Sequence, residues 1–447
     1  MARIVRGPLR RAVVVENPHP VLDGLLLEGG FEHVERLADA PGEDELIEAI
    51  QRTQGQVLYK RSRVPVSRRL VESCPSLVAV QLCCIGDDSV DKQACADHGV
   101  LVFNDPVSNG RSVVELVLGH LVGLSRRLYE TYDATHDGVW EKNNTERYEV
   151  RGKVLGIVGL GNIGRATARM AEQLGMRVLF HDTREVAEEV GLEMGWTSVP
   201  TIEALFRASD CVSLHMSAET SGGESNQGRI TQQMLMSLGA DRPEESPRLF
   251  INLSRGFLHE PEDLLAAVET GSIRRAAVDV YPREPRKNGP GWANPYADEP
   301  RIATTPHIGA ATQEAQPRIA RRVASTSLMF SDHGSVRDCV LSPRTRMSVA
   351  DDHRGERAML LVVHATTRGT KKALDDAIYE AGADNLVSTH RDFVRWGVAV
   401  DISLLDGPLS QGDLERIIAK TAKVTGDPDA VRLVRQVSAL DAARSLH

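Results

Sequence analysis

Short apolar runs alternate with longer amphipathic stretches through the first hundred residues. Ala12–Val15, Gln56–Tyr59, Leu77–Leu82 and Val100–Phe103 read as strands, with Val21–Leu27 and Val90–His98 helical between them. Such alternation predicts parallel β/α units. From Ser112 to Leu121 the residues are apolar around most of a helix's circumference, which predicts a helix buried on more than one side. A second alternation follows, with strands at Val154–Val158, Val178–Phe180, Val212–Leu214, Leu249–Leu253 and Ala276–Val280, and predicts a second α/β domain. Polar stretches at Ser331–Gly334 and Ala350–Gly355 mark a linker. Beyond it come strand Met359–Val363, helix Thr370–Ala381, strands Leu386–Thr389 and Val394–Ile402, helix Gln411–Val424 and strand Val431–Val437. That order is the βαββαβ of a ferredoxin-like domain.

Composition narrows the class without naming it. A chain of 447 residues exceeds what one hydrophobic core organises. A formal charge of -9 gives no basic footprint for nucleic acid, and no apolar run is long enough to cross a membrane. Arg3, Arg6, Arg10 and Arg11 precede only a short apolar run, so a solvated basic tail is expected there rather than a signal peptide. Cys74, Cys83, Cys84, Cys95, Cys211 and Cys339 form no C-x-x-C pair and no metal-like spacing; reduced thiols in a cytoplasmic protein are expected, and no metal.

The sharpest local signal is Gly159-Leu160-Gly161-Asn162-Ile163-Gly164, directly after a strand and directly before a helix. The first glycine permits the turn, the second lets backbone approach a pyrophosphate, and the third allows close helix-to-strand packing. Asp182 stands about twenty residues on, at the end of the next strand, where a carboxylate accepts from an adenosine ribose and repels a 2'-phosphate. The expected cofactor is NAD. Arg184 could reach a 2'-phosphate but is expected to be a surface side chain.

Three further segments each place one ionisable group where a strand leaves the sheet: Asn252-Leu253-Ser254-Arg255-Gly256, Asp279 to Pro285 with Glu284, and Thr305-Pro306-His307-Ile308-Gly309. Removing a hydroxyl proton while hydride leaves the same carbon requires a base near neutral pH, which suits His307. A carboxylate partner such as Glu284 raises the imidazole pKa and fixes its tautomer, and an arginine fork such as Arg255 matches a substrate carboxylate.

In this order after the glycine loop, these segments resemble the D-isomer-specific 2-hydroxyacid dehydrogenases. The resemblance implies Arg255 on the substrate carboxylate and carbonyl, Glu284 as the acid partner, His307 as the base, and Asp279 on the nicotinamide carboxamide. Cys84-Ile85-Gly86, Ser108-Asn109-Gly110-Arg111-Ser112, Gly138-Val139-Trp140 and Tyr148 to Lys153 look like the phosphoglycerate dehydrogenase branch of that family. This implies a phosphorylated 2-hydroxy acid as substrate, in the first step of serine biosynthesis. Arg61, Ser62, Arg63, Asn109 and Lys142 fall in the substrate region, with Arg61, Arg63 and Lys142 for the phosphate. A homodimer or homotetramer is implied. So are two doubly wound Rossmann-like parallel-sheet domains, a discontinuous substrate-binding one (1–110 and 303–345) and an NAD-binding one (111–302), followed by an ACT-like regulatory domain (357–447).

In the ACT-like segment His364 lies at the family's effector-contacting histidine and Asn385 near a second contact, but Thr366 replaces an expected asparagine and Thr367-Arg368-Gly369 lacks the usual proline. Residues 217–227 and 239–247 depart from the family and are expected to be surface insertions. A dehydrogenase for another 2-hydroxy acid and a non-catalytic NAD-sensing binding protein remain the alternatives; Glu284 speaks against the formate dehydrogenase branch, which replaces that acid.

Overall fold

The computed structural model describes residues 2–37, 39–220, 223–285, 288–343, 345–350 and 356–439. The chain forms two compact units, 1–106 with 316–447, and 107–315. Residues 351–355 of the expected linker and 440–447 of the last domain lie outside the described residues.

The 107–315 unit is built on a seven-stranded, wholly parallel sheet. Its spatial order is Ile302–Thr304, Arg275–Val278, Leu249–Asn252, Cys211–Leu214, Val154–Val158, Arg177–His181 and Thr197–Ser198. The order reverses between Val154–Val158 and Cys211–Leu214, the switch point where such sheets open a ligand crevice. Every residue of the four central strands is buried, which is why they read as continuous apolar runs rather than alternating ones. Helix Gly110–Ser125 buries Val113, Val117, Leu121 and Leu124 in the same core as Leu155, Ile157, Leu249 and Ile251. The broad apolar face predicted there is met.

The other unit holds two sheets. The first is parallel, in the order His33–Arg36, Arg11–Val14, Val57–Lys60, Ala79–Leu82 and Leu101–Phe103. The second has Val431–Ser438, Ala358–Ala365, Val398–Leu405 and Asn385–Phe393 in neighbouring, antiparallel order, with helices Thr370–Glu380 and Gln411–Thr425 in the connections. The βαββαβ order expected from the sequence is therefore present.

Three expectations change. The N-terminal arginines are not a solvated tail: Arg3–Arg6 is a strand, parallel to Val431–Ser438 from Arg3↔Leu433 to Arg6↔Gln436. Ile4 and Val5 fit a pleated surface, and the Arg3 guanidinium donates to the carbonyls of Pro75 (3.0 Å), Leu77 (2.5 Å) and His98 (2.6 Å). Residues 107–110 and 303–315 belong with the dinucleotide-type sheet, because Ile302–Thr304 pairs with Arg275–Val278 there. The 239–247 insertion lies largely at the surface, as expected, and is anchored there, since Arg242 and Ser246 both donate to the buried Asp210 carboxylate, which also accepts the Val154 N–H. Val394–Trp396 is a 3-10 turn, so the strand expected from Val394 starts at Val398. In the 217–227 insertion, Asn226 donates to the Ser217 carbonyl at 2.9 Å; residues 221–222 lie outside the described residues.

Candidate active site

Three neighbouring strands of the seven-stranded sheet deliver the three ionisable side chains. Asn252, fully buried, ends one of them and shapes the next turn: its Oδ1 accepts the Ser254 N–H at 3.1 Å and its Nδ2 donates to the Arg255 carbonyl at 2.9 Å. The turn can bring Arg255 forward only because glycine follows it. A Cβ on Gly256 would lie 2.0 Å from the Tyr281 carbonyl carbon.

The second loop holds Glu284 by the Tyr281 N–H, which donates to Oε1 at 3.1 Å, leaving Oε2 to accept from His307 Nδ1 at 2.8 Å. A proton on Nδ1 makes Nε2 the nitrogen available for exchange. Desolvation opposes both charges, but the mutual hydrogen bond and attraction outweigh it: the His307 pKa is raised and the Glu284 pKa lowered. Arg255 is close enough to act on both, favouring the carboxylate and disfavouring the imidazolium. The structure thus brings Arg255, Glu284 and His307 together.

His307 has φ +53, a left-handed conformation that costs a non-glycine residue about 1–2 kcal/mol. Asp279 holds that turn. Its Oδ1 accepts from Thr305 Oγ1 (2.6 Å) and the Ile308 N–H (2.8 Å), and its Oδ2 accepts the Gly309 N–H (2.9 Å). The carboxylate is 1% exposed, and burial raises its pKa. Both Asp279 oxygens are thus engaged by the turn that carries His307, a role the sequence did not disclose.

At the switch point, Gly159-Leu160-Gly161 leads into helix Asn162–Gln173. A Cβ at Gly164 would lie 2.1 Å from the Gly159 carbonyl oxygen, so the helix can approach the strand only with glycine there. No atom stands within 4 Å of a Cβ built on Gly161; this open face above a helix N-terminus fits a pyrophosphate. Asn162 and Ile163 form the first turn of that helix. Asp182 caps the loop by accepting the Leu160 N–H at 2.7 Å. Arg184 is exposed, as expected, and its guanidinium donates to Asp182 at 2.9 and 2.8 Å, helping to hold the carboxyl below its usual range against the opposing effect of burial.

The expected substrate contacts are spread more widely. Arg61, Ser62 and Arg63 follow strand Val57–Lys60 in the first unit, and Asn109 and Lys142 lie in the second. Arg63 pairs with Asp39 at 2.7 Å. Asn109 is buried and its Oδ1 has no hydrogen-bond partner, whereas Lys142 is exposed. Glu16 carries no motif that marks it in the sequence. This residue is fully buried, and its Oε1 accepts the N–H groups of both Arg63 and Val64, so it shapes the arginine loop from below.

Comparison with known proteins agrees with this geometry. Residues 118–309 match the NAD-binding domain of the D-isomer-specific 2-hydroxyacid dehydrogenases. The chain is 30% identical to D-3-phosphoglycerate dehydrogenase 2 of Saccharomyces cerevisiae over 92% of this chain and 86% of that one. It is 34% identical to D-3-phosphoglycerate dehydrogenase of Escherichia coli over 83% and 86%. The fold resembles the NAD+-bound 3-phosphoglycerate dehydrogenase of Entamoeba histolytica with a TM-score of 0.58 at 22% identity, covering 74% of this chain and 98% of that one. The chain belongs to the D-isomer-specific 2-hydroxyacid dehydrogenases, an NAD-dependent enzyme family whose D-3-phosphoglycerate dehydrogenases are among its relatives.

Proposed function

We propose that the enzyme oxidises D-3-phosphoglycerate to 3-phosphohydroxypyruvate, with His307 taking the C2 hydroxyl proton as hydride leaves C2. The observation that carries this is the His307–Glu284 hydrogen bond at 2.8 Å with Arg255 within electrostatic reach of both. NAD, when bound, supplies the hydride acceptor; Gly159, Gly161, Asn162, Ile163 and Gly164 would hold its pyrophosphate and Asp182 its ribose. Arg255 grips the substrate carboxylate and polarises the oxygen at C2. Glu284 keeps the proton on Nδ1, so that Nε2 is the basic nitrogen, and stabilises the imidazolium that forms. Asp279 keeps the His307 turn in its left-handed form.

Arg61, Arg63 and Lys142 are assigned to the substrate phosphate, and Ser62 and Asn109 to the carboxylate end. The C-terminal antiparallel sheet is an ACT-like regulatory module. A cytoplasmic homodimer or homotetramer fits this assignment, and none of the six cysteines is in a disulfide, as a reducing compartment leaves them. Among the described residues no helix is long and apolar enough to cross a membrane.

Steady-state NADH formation tests the substrate. D-3-phosphoglycerate should give a specificity constant well above those of D-glycerate and D-lactate; comparable constants for all three would sink the phosphorylated-substrate assignment while leaving the dehydrogenase class intact.

A further inference from the structure

The C-terminal sheet carries a polar cluster that the dehydrogenase reaction does not use. His364 on Ala358–Ala365, His390 on Asn385–Phe393 and Asp401 on Val398–Leu405 come from three adjacent strands. Asp401 pairs in register with both Val362 and His390, and His364 is two residues on from Val362, so all three side chains share one face. One ligand atom from each lies within 4.8 Å of the other two.

The histidines are prepared differently. His364 is 2% exposed, and its Nδ1 faces the Ala365 carbonyl oxygen at 2.8 Å. That contact places the proton on Nδ1 and leaves Nε2 with a bare lone pair. This Nε2 is buried and has no hydrogen-bond partner among the described residues, an arrangement that costs about 1–3 kcal/mol if nothing occupies it. His390 stacks beside it, ring centroids 5.5 Å apart and planes 21° apart. Its Nδ1 faces Asp401 Oδ2 at 3.2 Å and its Nε2 faces Asp392 Oδ1 at 3.0 Å. Asp401 is 1% exposed and also accepts from Ser403 Oγ at 3.2 Å.

We propose that His364 Nε2, His390 Nδ1 and Asp401 Oδ2 form a site for a divalent, borderline-soft metal ion of the Zn2+ class. Two imidazoles and one carboxylate are the donor set of such ions, with a further position left to water or a ligand. Binding requires His390 to give up its Nδ1 proton, after which the metal bridges the two groups that the proton bridged. Both outer partners are already present: the Ala365 carbonyl behind His364 and Asp392 behind His390 keep the far nitrogens protonated, which fixes the ring orientation and raises ligand basicity.

Lys371 from the neighbouring helix competes, since its Nζ lies 3.0 Å from the same Asp401 oxygen. It also pairs with Asp375, which can retain it when the metal enters. With neutral imidazoles, the carboxylates Asp375, Asp392 and Asp401 around this one ammonium leave two negative charges, the complement of a divalent cation. The ligands are far apart in sequence and meet only through strand pairing, which is why no metal-like spacing marks them.

The test uses the full-length protein, stripped with a chelator and titrated with Zn2+ by calorimetry and with Co2+ by visible absorption. The expected result is one tight site per chain with a nitrogen/oxygen Co2+ spectrum. His390→Gln and Asp401→Asn should each weaken it about tenfold or more, and Lys371→Met should tighten it. His390 is partly exposed, so its variant leaves the core intact. Absence of a stoichiometric site, affinity unchanged in His390→Gln, or a thiolate-to-Co2+ charge-transfer band pointing to the cysteines would each overturn the proposal.

Discussion

At the scale of single residues, the proton affinity of His307 is the property on which turnover depends. His307→Ala should lower turnover by about 10²–10⁴-fold while leaving NAD affinity nearly unchanged, because it removes the base without touching the glycine loop. Rate and cofactor titration together decide this; a variant retaining most of the rate shows that another group takes the proton. Oxidation needs the neutral imidazole, so its rate rises as pH increases through the His307 pKa, which Glu284 and Asp279 raise. Glu284→Gln removes the main upward influence. The rising limb of the pH–rate profile should therefore move to lower pH even as the maximal rate falls, and a limb that stays in place contradicts the pairing.

The arginines that would receive the phosphate are not equivalent. Arg63 already has Asp39 as partner, so Arg61→Ala should raise the KM for D-3-phosphoglycerate by about 10–100-fold, as expected for a lost charge-assisted contact, and Arg63→Ala by less. Equal effects on phosphorylated and unphosphorylated substrates would point to a folding defect instead. Asp182→Ala should erode discrimination against NADP, more so because it also releases the Arg184 guanidinium toward a 2'-phosphate. Equal NAD and NADP specificity constants in the wild type would contradict the role given to Asp182.

At the scale of elements, what the sequence discloses depends on how local each cause is. The glycine loop, the Asn252–Gly256 turn and the His307 turn are written in contiguous residues, so their positions could be read directly. Partners brought in from elsewhere could not: Glu16 precedes the arginine loop by more than forty residues, Asp279 by itself looks like any strand-end acid, and strand His33–Arg36 is too polar and too short to stand out. Asp279 gives this distinction a measurable form. Asp279→Asn substitutes an amide donor for one of the two oxygens that accept from the 305–309 turn, so the His307 backbone should relax from its left-handed form. We expect a fall in kcat of about tenfold, larger than any change in NAD affinity; an unchanged kcat would reduce Asp279 to a passive core residue.

The C-terminal module invites a similar test. Thr366 cannot supply the two hydrogen bonds of an asparagine amide, and free L-serine should inhibit weakly or not at all. Inhibition at micromolar serine would show that His364 and Asn385 suffice.

At the scale of the whole chain, the C-terminal sheet is held to helix Ala315–His333 of the same unit by buried polar contacts. Arg435, 1% exposed, donates to the carbonyls of Gly7, Phe330 and Ser331 and lies over the Phe330 ring at 4.7 Å. Arg435→Met keeps much of the volume but removes the guanidinium donor from those carbonyls, and should cost about 1–3 kcal/mol in urea unfolding. A midpoint identical to wild type would show that the anchor is dispensable.

The strand Arg3–Arg6 has a consequence for how the chain is made. It is synthesised about 430 residues before its hydrogen-bonding partner Val431–Ser438. At bacterial or eukaryotic elongation rates of roughly 5–20 residues per second, the nascent strand waits about 20–90 s with its edge unsatisfied. During that interval its four residues, two of them arginine, are a short and charged edge that resists pairing with other chains. The pairing of Arg3–Arg6 with Val431–Ser438 therefore also sets the earliest moment of synthesis at which the C-terminal sheet can close.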